Sequence, residues 1–509
     1  MTDVTVWDGS TDDDWTDATN WSNGVPSTSK IASIPSGLGT YPDLASDCTV
    51  HALLVEAGAT LTGGSNITVY VTGKSAGETN APTNLYAVEI NGTISGELNF
   101  NITTSSAIKL DLNGSSGNIN DLTINHAICV ATIQTTTAID GDLTVTLGTF
   151  NTNGNALTVA GNTVVDGTLT GNNSTFSFGT NGVHGSTEGG CLLVNSSGTF
   201  TFGSGDVTIF SGFTAKGTEG SPNVTSTGGG DILIKGRTNN GFMNSHNHNG
   251  TNITGDYIID YDNSSLFDNR GGVTIACGTF KIIHGGRTYQ PWNNSAQATF
   301  KIVGNMEMSG GTFDTKYSGQ DSQHLTVTGH VSVTGTLTGN ESVISMKSLT
   351  IAATGTYSAT NQTTTINGEG DGTGGSSNGF ALYNTANGTF THNNGLVLIT
   401  TNTNTVVYGM EGDDTSGSGA NAFNRLQIEL TNAAYFVKLR PAAGTAHVIK
   451  GNVTVAEGIL QTETDGHTLT IEGDVSIESG GTLGHADHDA ADSFKSLTIS
   501  SGGTCIASE

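Results

Sequence analysis

LTVAGNTVVDGTLTGNNS, residues 157–174, returns almost unchanged as LTVTGHVSVTGTLTGNES, residues 325–342. A third, more divergent copy is LTIEGDVSIESGGTL (469–483). Further along, GCLLVNSSGTFTFGSGDVTIF (190–210) corresponds to GFALYNTANGTFTHNNGLVLI (379–399), but the second copy has gained 22 residues around SLTIAATGTYSATNQTTTINGE (348–369). Because the insertion leaves both flanks recognisable, we interpret 22 residues as one structural unit, which is typical of a solenoid built from stacked coils.

A shorter motif, Gly-Thr followed by an apolar residue, gives the finer period of the chain. Short gaps between copies fit one coil, and long gaps fit a coil with a lateral loop. The motif begins at Gly148, Gly167, Gly198, Gly278, Gly311, Gly335, Gly355, Gly388, Gly481 and Gly503.

The stretch GHVSVTGTLTGN (329–340) predicts the side-chain directions within one coil. Strand alternation points Val331, Val333 and Leu337 inward, and it points Ser332, Thr334 and Thr338 outward. Gly335 would form the corner between two strands, since glycine tolerates a positive φ.

These patterns predict an all-β fold: an elongated parallel β-solenoid, or β-helix, with a Trp-rich amino-terminal cap and lateral loop insertions. Helical periodicity is not sustained anywhere in the sequence. The predicted sections are a cap or attachment module (1–49), a first solenoid section (50–156), a repeat with a lateral region at 237–292 (157–324), a second repeat (325–468) and a partial third repeat (469–509).

Composition and charge exclude several classes of function. Only 12% of residues are charged and the formal net charge is −28, which opposes binding to nucleic acid or anionic membranes. No apolar run is long enough for a membrane span. The five cysteines are widely spaced and predict neither a disulfide framework nor a zinc site, and Cys129 and Cys277 are expected to be small buried hydrophobes.

The amino-terminal residues 7–64 hold three of the four tryptophans. This segment resembles a module found before β-solenoid repeats in bacterial surface proteins and in virion fibre proteins of marine bacteriophages. The resemblance implies a structural role outside the cell and assigns no catalysis or cofactor. The matching positions are Trp7, Trp15, Asn20, Trp21, Gly24, Pro26, Ile34, Pro35 and Gly58 to Leu61.

The first thirty residues lack the basic start and apolar core of a secretory signal. A virion protein needs no such signal, so we expect a bacteriophage tail-fibre or spike component on the virion surface that contacts other virion proteins and a host polysaccharide. A secreted or surface-anchored bacterial adhesin is the alternative, and a polysaccharide depolymerase is a third. Three intertwined copies, a longer array, or a last coil covered by another subunit also remain open.

Residues 237–292 depart from the repeat pattern and hold three of the five arginines. Aromatic rings stack on sugars, and Arg or His side chains donate hydrogen bonds to hydroxyl and carboxylate groups, so this region is a candidate glycan-binding patch. Alternatively, its aromatic residues pack a wide coil or a subunit contact. The candidate ligand-binding residues are Arg237, His246, His248, Tyr257, Tyr261, Arg270, His284, Arg287, Tyr289 and Trp292.

Two polar loops carry side chains of the types that bind metals, and we predict no metal site at either. Asn367, Glu369 and Asp371 alternate as in a calcium loop, but Asn378 stands where a bidentate Glu is required. The loop HADHDAAD (485–492) is expected to be solvated. No enzyme activity is predicted; a depolymerase would need two carboxylates in a groove, for which Asp256, Asp260, Asp262 and Asp268 are the first choice.

Overall fold

The computed structural model describes most of the chain. The described residues are 3–64, 66–74, 86–112, 119–181, 191–218, 220–235, 242–246, 250–261, 265–268, 272–293, 297–370, 379–385, 387–410, 421–440, 446–462, 468–485 and 493–506. Within them the protein is all-β, and its helical content is one turn of 3-10 helix, Ala18–Asn20. No described helix has the length and apolar character needed to cross a bilayer.

The chain divides into two compact units, Met1–Asn239 with Met243–Asp256, and Asn240–Phe242 with Tyr257–Glu509. The first unit contains β1 (Asp3–Val6), β2 (Lys30–Ile34), β3 (Cys48–Val50), β4 (Ala52–Val55), β5 (Thr60–Gly63), β6 (Thr68–Val71), β7 (Tyr86–Ile90), β8 (Thr93–Gly96), β9 (Leu98–Ile102), β10 (Ala107–Asp111), β11 (Ile119–Ile133), β12 (Thr137–Ile139), β13 (Leu143–Asn151), β14 (Leu157–Val159), β15 (Thr163–Val165), β16 (Thr168–Gly171), β17 (Phe176–Phe178), β18 (Leu192–Val194), β19 (Thr199–Phe202), β20 (Val207–Ile209), β21 (Phe213–Ala215), β22 (Val224–Ser226), β23 (Ile232–Ile234), β24 (Phe242–His246), whose first residue belongs to the second unit, and β25 (Thr251–Asn252).

The second unit contains β26 (Tyr257–Ile259), β27 (Ser265–Asp268), β28 (Val273–Ile282), β29 (Thr288–Trp292), β30 (Thr299–Met308), β31 (Thr312–Asp314), β32 (His324–Val333), β33 (Thr336–Thr338), β34 (Ile344–Ile351), β35 (Thr356–Ser358), β36 (Thr363–Ile366), β37 (Phe380–Asn384), β38 (Thr389–Thr391), β39 (Leu396–Ile399), β40 (Thr405–Tyr408), β41 (Arg425–Glu429), β42 (Phe436–Arg440), β43 (Ala446–Ile449), β44 (Val453–Thr462), β45 (Thr468–Ile477), β46 (Gly481–His485), β47 (Ser493–Ile499) and β48 (Thr504–Cys505).

From β12 to β23, consecutive strands join different ladders, and each ladder is parallel. β12, β14, β17, β20 and β23 pair in that order. A second ladder consists of β13, β15, β18 and β21, paired in that order. A third ladder consists of β13, which contributes to both, followed by β16, β19 and β22. Each ladder therefore receives a strand from every successive repeat of the sequence, which confirms the prediction of parallel strands in large sheets.

The second unit follows the same pattern and contains the inserted segment. Residues 348–369 supply one strand to each of three parallel ladders. Leu349–Ile351 lie between β32 and β37, Thr356–Ser358 lie between β33 and β38, and Thr363–Ile366 lie between the start of β34 and β39. In the first unit β15 pairs directly with β18, so the extra residues do form one complete additional layer of strands.

The core consists of alternate strand residues, as the sequence predicts. Val331, Val333 and Leu337 are at most 1% exposed. Ser332 and Thr338 are half-buried, and Thr334 is exposed. Aliphatic and aromatic side chains fill the interior, and Thr, Ser and Asn cover much of the outside of the sheets.

The explanation predicted for Gly335 was wrong. Its φ is not in the left-handed region, although Gly148 and Gly311 at the start of other copies of the motif do adopt positive φ. Glycine is required at position 335 because neighbouring layers pack closely there. A Cβ on Gly335 would lie 2.3 Å from the carbonyl oxygen of Gly311 and 2.7 Å from the backbone of Gly310.

We therefore expect Gly335→Ala to lower the free energy of unfolding by about 1–3 kcal/mol, because the added methyl group must push two backbones apart. Gly285→Ala is the matched control, since a Cβ there meets no atom within 4 Å and the backbone conformation is ordinary. Chemical denaturation of both variants measures the difference. Equal losses of stability in the two variants would contradict the packing explanation.

The amino-terminal module is continuous with the ladders that follow it. β1 pairs in parallel with β2, and β2 pairs in parallel with β4. The predicted boundary at residue 49 thus falls inside one run of paired strands.

Candidate functional site

The predicted ligand-binding residues fall into three groups. Arg237, His248 and Arg270 lie outside the described residues. His246 ends strand β24, but its side chain is likewise not described. The remaining six residues all lie in the second unit.

Three of these six, Tyr257, Tyr261 and Tyr289, are fully buried. The Tyr289 hydroxyl donates a 2.5 Å hydrogen bond to the carbonyl oxygen of Tyr261, and the Tyr257 ring stacks on Phe280 at 5.8 Å between centroids. Burial raises the pKa of the Tyr257 phenol. These three rings belong to the core. They therefore agree with the alternative interpretation, in which the aromatic residues pack inside a wide layer, and they are not placed to contact a ligand directly.

The other three, His284, Arg287 and Trp292, lie on or just before β29 and reach the surface. His284 Nε2 lies 2.6 Å from Asp260 Oδ1, and this carboxylate orients the imidazole ring. Arg287 is exposed in the turn that precedes β29, and Trp292 is half-buried at the end of the strand. We call these three residues together with Gln290 the β29 surface.

Gln290 is held in place within this surface. Its Nε2 donates to the carbonyl oxygen of Lys316 at 2.5 Å and to Asp314 Oδ2 at 3.2 Å. Thr288, Gln290 and Trp292 are all half-buried and alternate along one strand, so they share its outward face. An aromatic ring and an amide on one strand, with a guanidinium group in the turn before it, form a combination suited to binding a sugar.

The tryptophans of the amino-terminal module form a buried cluster. Trp7, Trp15 and Trp21 are 0%, 2% and 4% exposed, and Pro26 is also buried. The Trp21 ring meets Trp7 and Trp15 edge-on, with centroid distances of 5.1 Å and 4.8 Å. Its Nε1 donates to the carbonyl oxygen of Trp15 at 2.9 Å, and Trp7 Nε1 donates to that of Thr40 at 3.0 Å.

Asn20, beside this cluster, is fully buried and satisfies both ends of its amide. Its Nδ2 donates to Asp12 Oδ1 at 2.8 Å and to the carbonyl oxygen of Asp14 at 3.2 Å. Its Oδ1 accepts from the backbone N–H groups of Thr11 and Asp12. This network fixes the loop around the indoles, which accounts for an Asn directly before Trp21.

No cluster of three potential metal ligands of the His, Cys, Asp or Glu type occurs among the described residues. Asp371 and Asn378 of the first loop, and residues 486–492 of the second, lie outside them.

Cys129, Cys191 and Cys277 are buried, and burial raises the pKa of the Cys129 thiol to about 11 and that of Cys191 to about 12. Such thiols are protonated and poorly nucleophilic.

The four aspartates that are the first choice for a depolymerase do not form a carboxylate pair among the described residues. Asp262 and the Asp268 side chain lie outside the described residues, the backbone N–H of Asp256 donates to Asp231 Oδ1, and Asp260 contacts His284.

A carboxylate that the sequence did not single out is Glu89. Burial, together with the charge of Asp111, raises its pKa.

Glu89 and Asp111 are opposite each other in the pairing of β7 with β10. Asn91 Nδ2 donates to Glu89 Oε1 at 3.1 Å, and Thr135 Oγ1 donates to Asp111 Oδ1 at 2.8 Å. Sequence reasoning could not find this pair, because a register shift in the ladder decides which residues face each other.

Strand β47 presents an apolar surface. Its residues 496–499, SLTI, are identical to residues 348–351 of β34. Leu349 and Ile351 are buried between β32 and β37, whereas Ile499 is 47% exposed and Phe494 is 37% exposed. β47 pairs with β45 along one edge, and no strand in the described part of the chain pairs with its other edge. Residues 348–351 thus have a described strand on both sides, whereas residues 496–499 have one on one side.

No family model, curated protein or solved structure matches this chain.

Proposed function

We propose that this protein is a structural component of a bacteriophage virion, a tail-fibre or spike protein located on the virion surface. The observation that carries the proposal is the set of parallel ladders to which residues 348–369 add one complete layer, because stacked layers of this kind can build a rigid projecting fibre. The resemblance of the amino-terminal module to virion fibre proteins supports the same role.

The architecture that we propose is an elongated parallel β-solenoid. The addition of one complete layer by residues 348–369 supports it, because a solenoid gains length without a change of cross-section. Some twenty layers spaced by about 4.8 Å make a rod of about 100 Å.

Small-angle X-ray scattering of the purified chain tests this architecture. A compact protein of 509 residues has a radius of gyration of about 23 Å. The rod should give a larger value and a maximum dimension on the order of 100 Å. A globular scattering profile would contradict the solenoid, and the forward scattering would also reveal whether three copies associate.

Immuno-electron microscopy tests the location. Antibodies raised against the purified chain should label a projecting part of phage particles and should not label the envelope of uninfected host cells. Labelling of uninfected cells alone would favour the bacterial adhesin. Release of reducing sugar from host capsule by the purified chain would favour the depolymerase.

Host-surface glycan is the ligand that we propose for the β29 surface. We expect Trp292→Ala and Arg287→Ala each to weaken binding to host polysaccharide by about 5- to 30-fold, because a stacking or charge-assisted contact contributes about 1–2 kcal/mol. Binding is measured on immobilised polysaccharide.

Lys450→Ala is the control for this experiment, since Lys450 lies in the same unit and pairs with Glu472 at 2.8 Å on the surface. It should bind as the unchanged chain does. Unchanged binding of both the Trp292 and the Arg287 variants would remove the β29 surface from the proposal and leave the structural role intact.

A further inference from the structure

The Gly-Thr-apolar motif also arranges the outward face of the strands that continue the ladder from β29, where Gln290 donates to Asp314 Oδ2 at 3.2 Å. In β31, β33, β35 and β38 the motif places threonines opposite one another in a parallel ladder. The first column is Thr312, Thr336, Thr356 and Thr389, and the second, two residues further on, is Asp314, Thr338, Ser358 and Thr391.

The side chains of both columns point away from the core. The residues between the columns, Phe313, Leu337, Tyr357 and Phe390, are at most 2% exposed and fix the strands from beneath. Thr389 and Thr391 are exposed and the other column residues are half-buried. In the described part of the chain, the six threonine hydroxyls form no hydrogen bond with the protein, while Ser358 Oγ accepts one from Asn393 at 2.8 Å.

The result is a regular, rigid and nearly uncharged array. Neighbouring strands repeat at about 4.8 Å, and alternate residues along a strand are about 6.6 Å apart. Threonine is β-branched, so its methyl and hydroxyl groups have few orientations. Asp314 is the one charged residue among the eight positions, in a chain whose net charge is −28.

The first unit carries a second array made by the same motif. Thr149, Thr168 and Thr199 form one column, and Asn151, Thr170 and Thr201 form the other, on strands β13, β16 and β19. Phe150, Leu169 and Phe200 are buried beneath them. The arrangement therefore occurs independently in both units and follows from the repeat itself.

We propose that these threonine arrays bind ice. A ligand that matches them must be uncharged, must repeat in two directions, and must both donate and accept hydrogen bonds, as the threonine hydroxyl does. The water lattice of ice has these properties. Methyl groups fixed beside the hydroxyls order neighbouring water, and the rigid strands lose little freedom on binding. A glycan site would instead require aromatic rings on the outward face, and the columns contain none.

The test uses the 509-residue chain and ice itself. We expect the chain to inhibit ice recrystallisation and to lower the freezing point below the melting point. Thr168→Lys with Thr336→Lys puts one long charged side chain in the middle of each array, and this double variant should lose at least five-fold in recrystallisation inhibition at equal concentration. Thermal melting verifies that both units remain folded.

The matched control is Thr144→Lys with Thr350→Lys, which places the same charges on outward, half-buried positions of other ladders in the same two units. It should retain full inhibition. The proposal is overturned if the unchanged chain has no effect on ice, if the array variant keeps its activity, or if the control loses as much. Sedimentation with crystalline chitin or cellulose in the absence of any effect on ice would also overturn it.

Discussion

Trp21→Ala is expected to lower the free energy of unfolding of the first unit by about 3–5 kcal/mol. The indole is 4% exposed, lies between Trp7 and Trp15, and donates to the carbonyl oxygen of Trp15. Truncation leaves a cavity and an acceptor without its donor, so both packing and hydrogen bonding are lost. Thermal and chemical denaturation, followed by the near-ultraviolet signal of the tryptophans, measure the effect.

Trp292→Ala serves as the comparison, because the Trp292 side chain is half-buried and it should cost clearly less stability. The result separates two roles for the amino-terminal tryptophans. A cap requires burial within the chain and therefore a loss of stability. An anchor that is buried against another protein would leave the melting temperature of the Trp21 variant unchanged while attachment is lost.

The parallel ladders could be predicted from the sequence because two copies of its repeat differ in length by 22 residues, which corresponds to one whole layer of strands. Strand alternation in residues 329–340 was sufficient to separate the buried Val331, Val333 and Leu337 from their outward neighbours. The inserted segment is visible in the sequence because the flanks of residues 348–369 match an earlier copy of the repeat.

Contacts between neighbouring layers could not be predicted, because they depend on register. Asp121 Oδ1 accepts from the backbone N–H of Asp142, and Asp142 Oδ1 accepts from that of Asn162, so one side chain in each layer binds the next. Gly161 is required beside them, since a Cβ there would lie 2.2 Å from Asp142 Oδ1. Such ladders join residues about 20 positions apart and have no signature within one strand.

The candidate site was predicted less well, for a related reason. Composition alone drew attention to the aromatic residues near β29, but it does not distinguish an aromatic ring in the core from one on the surface. Tyr257 and Tyr289 occupy inward positions of their strands, whereas Trp292 occupies an outward one. Only the register of the strands separates them.

Deletion of Ser348–Glu369 should leave a folded second unit that is shorter by one layer, about 4.8 Å. The segment contributes one strand to each of three ladders. Its removal lets Val331–Val333 meet Leu382–Asn384, and lets Thr336–Thr338 meet Thr389–Thr391. The first unit already has this shorter arrangement, since β15 pairs with β18 and β16 pairs with β19.

Deletion of Ser348–Ser358 alone should unfold much of the second unit. It removes two of the three strands and leaves Thr363–Ile366 without a layer to complete. The buried Leu349, Ile351 and Tyr357 are lost, and the following strands must shift register, which turns inward residues outward. Circular dichroism and thermal melting compare the two deletions. The shorter deletion removes fewer residues. If the loss of stability grew simply with the number of residues removed, the longer deletion would be the less stable of the two. Equal unfolding of both variants would refute the modular interpretation.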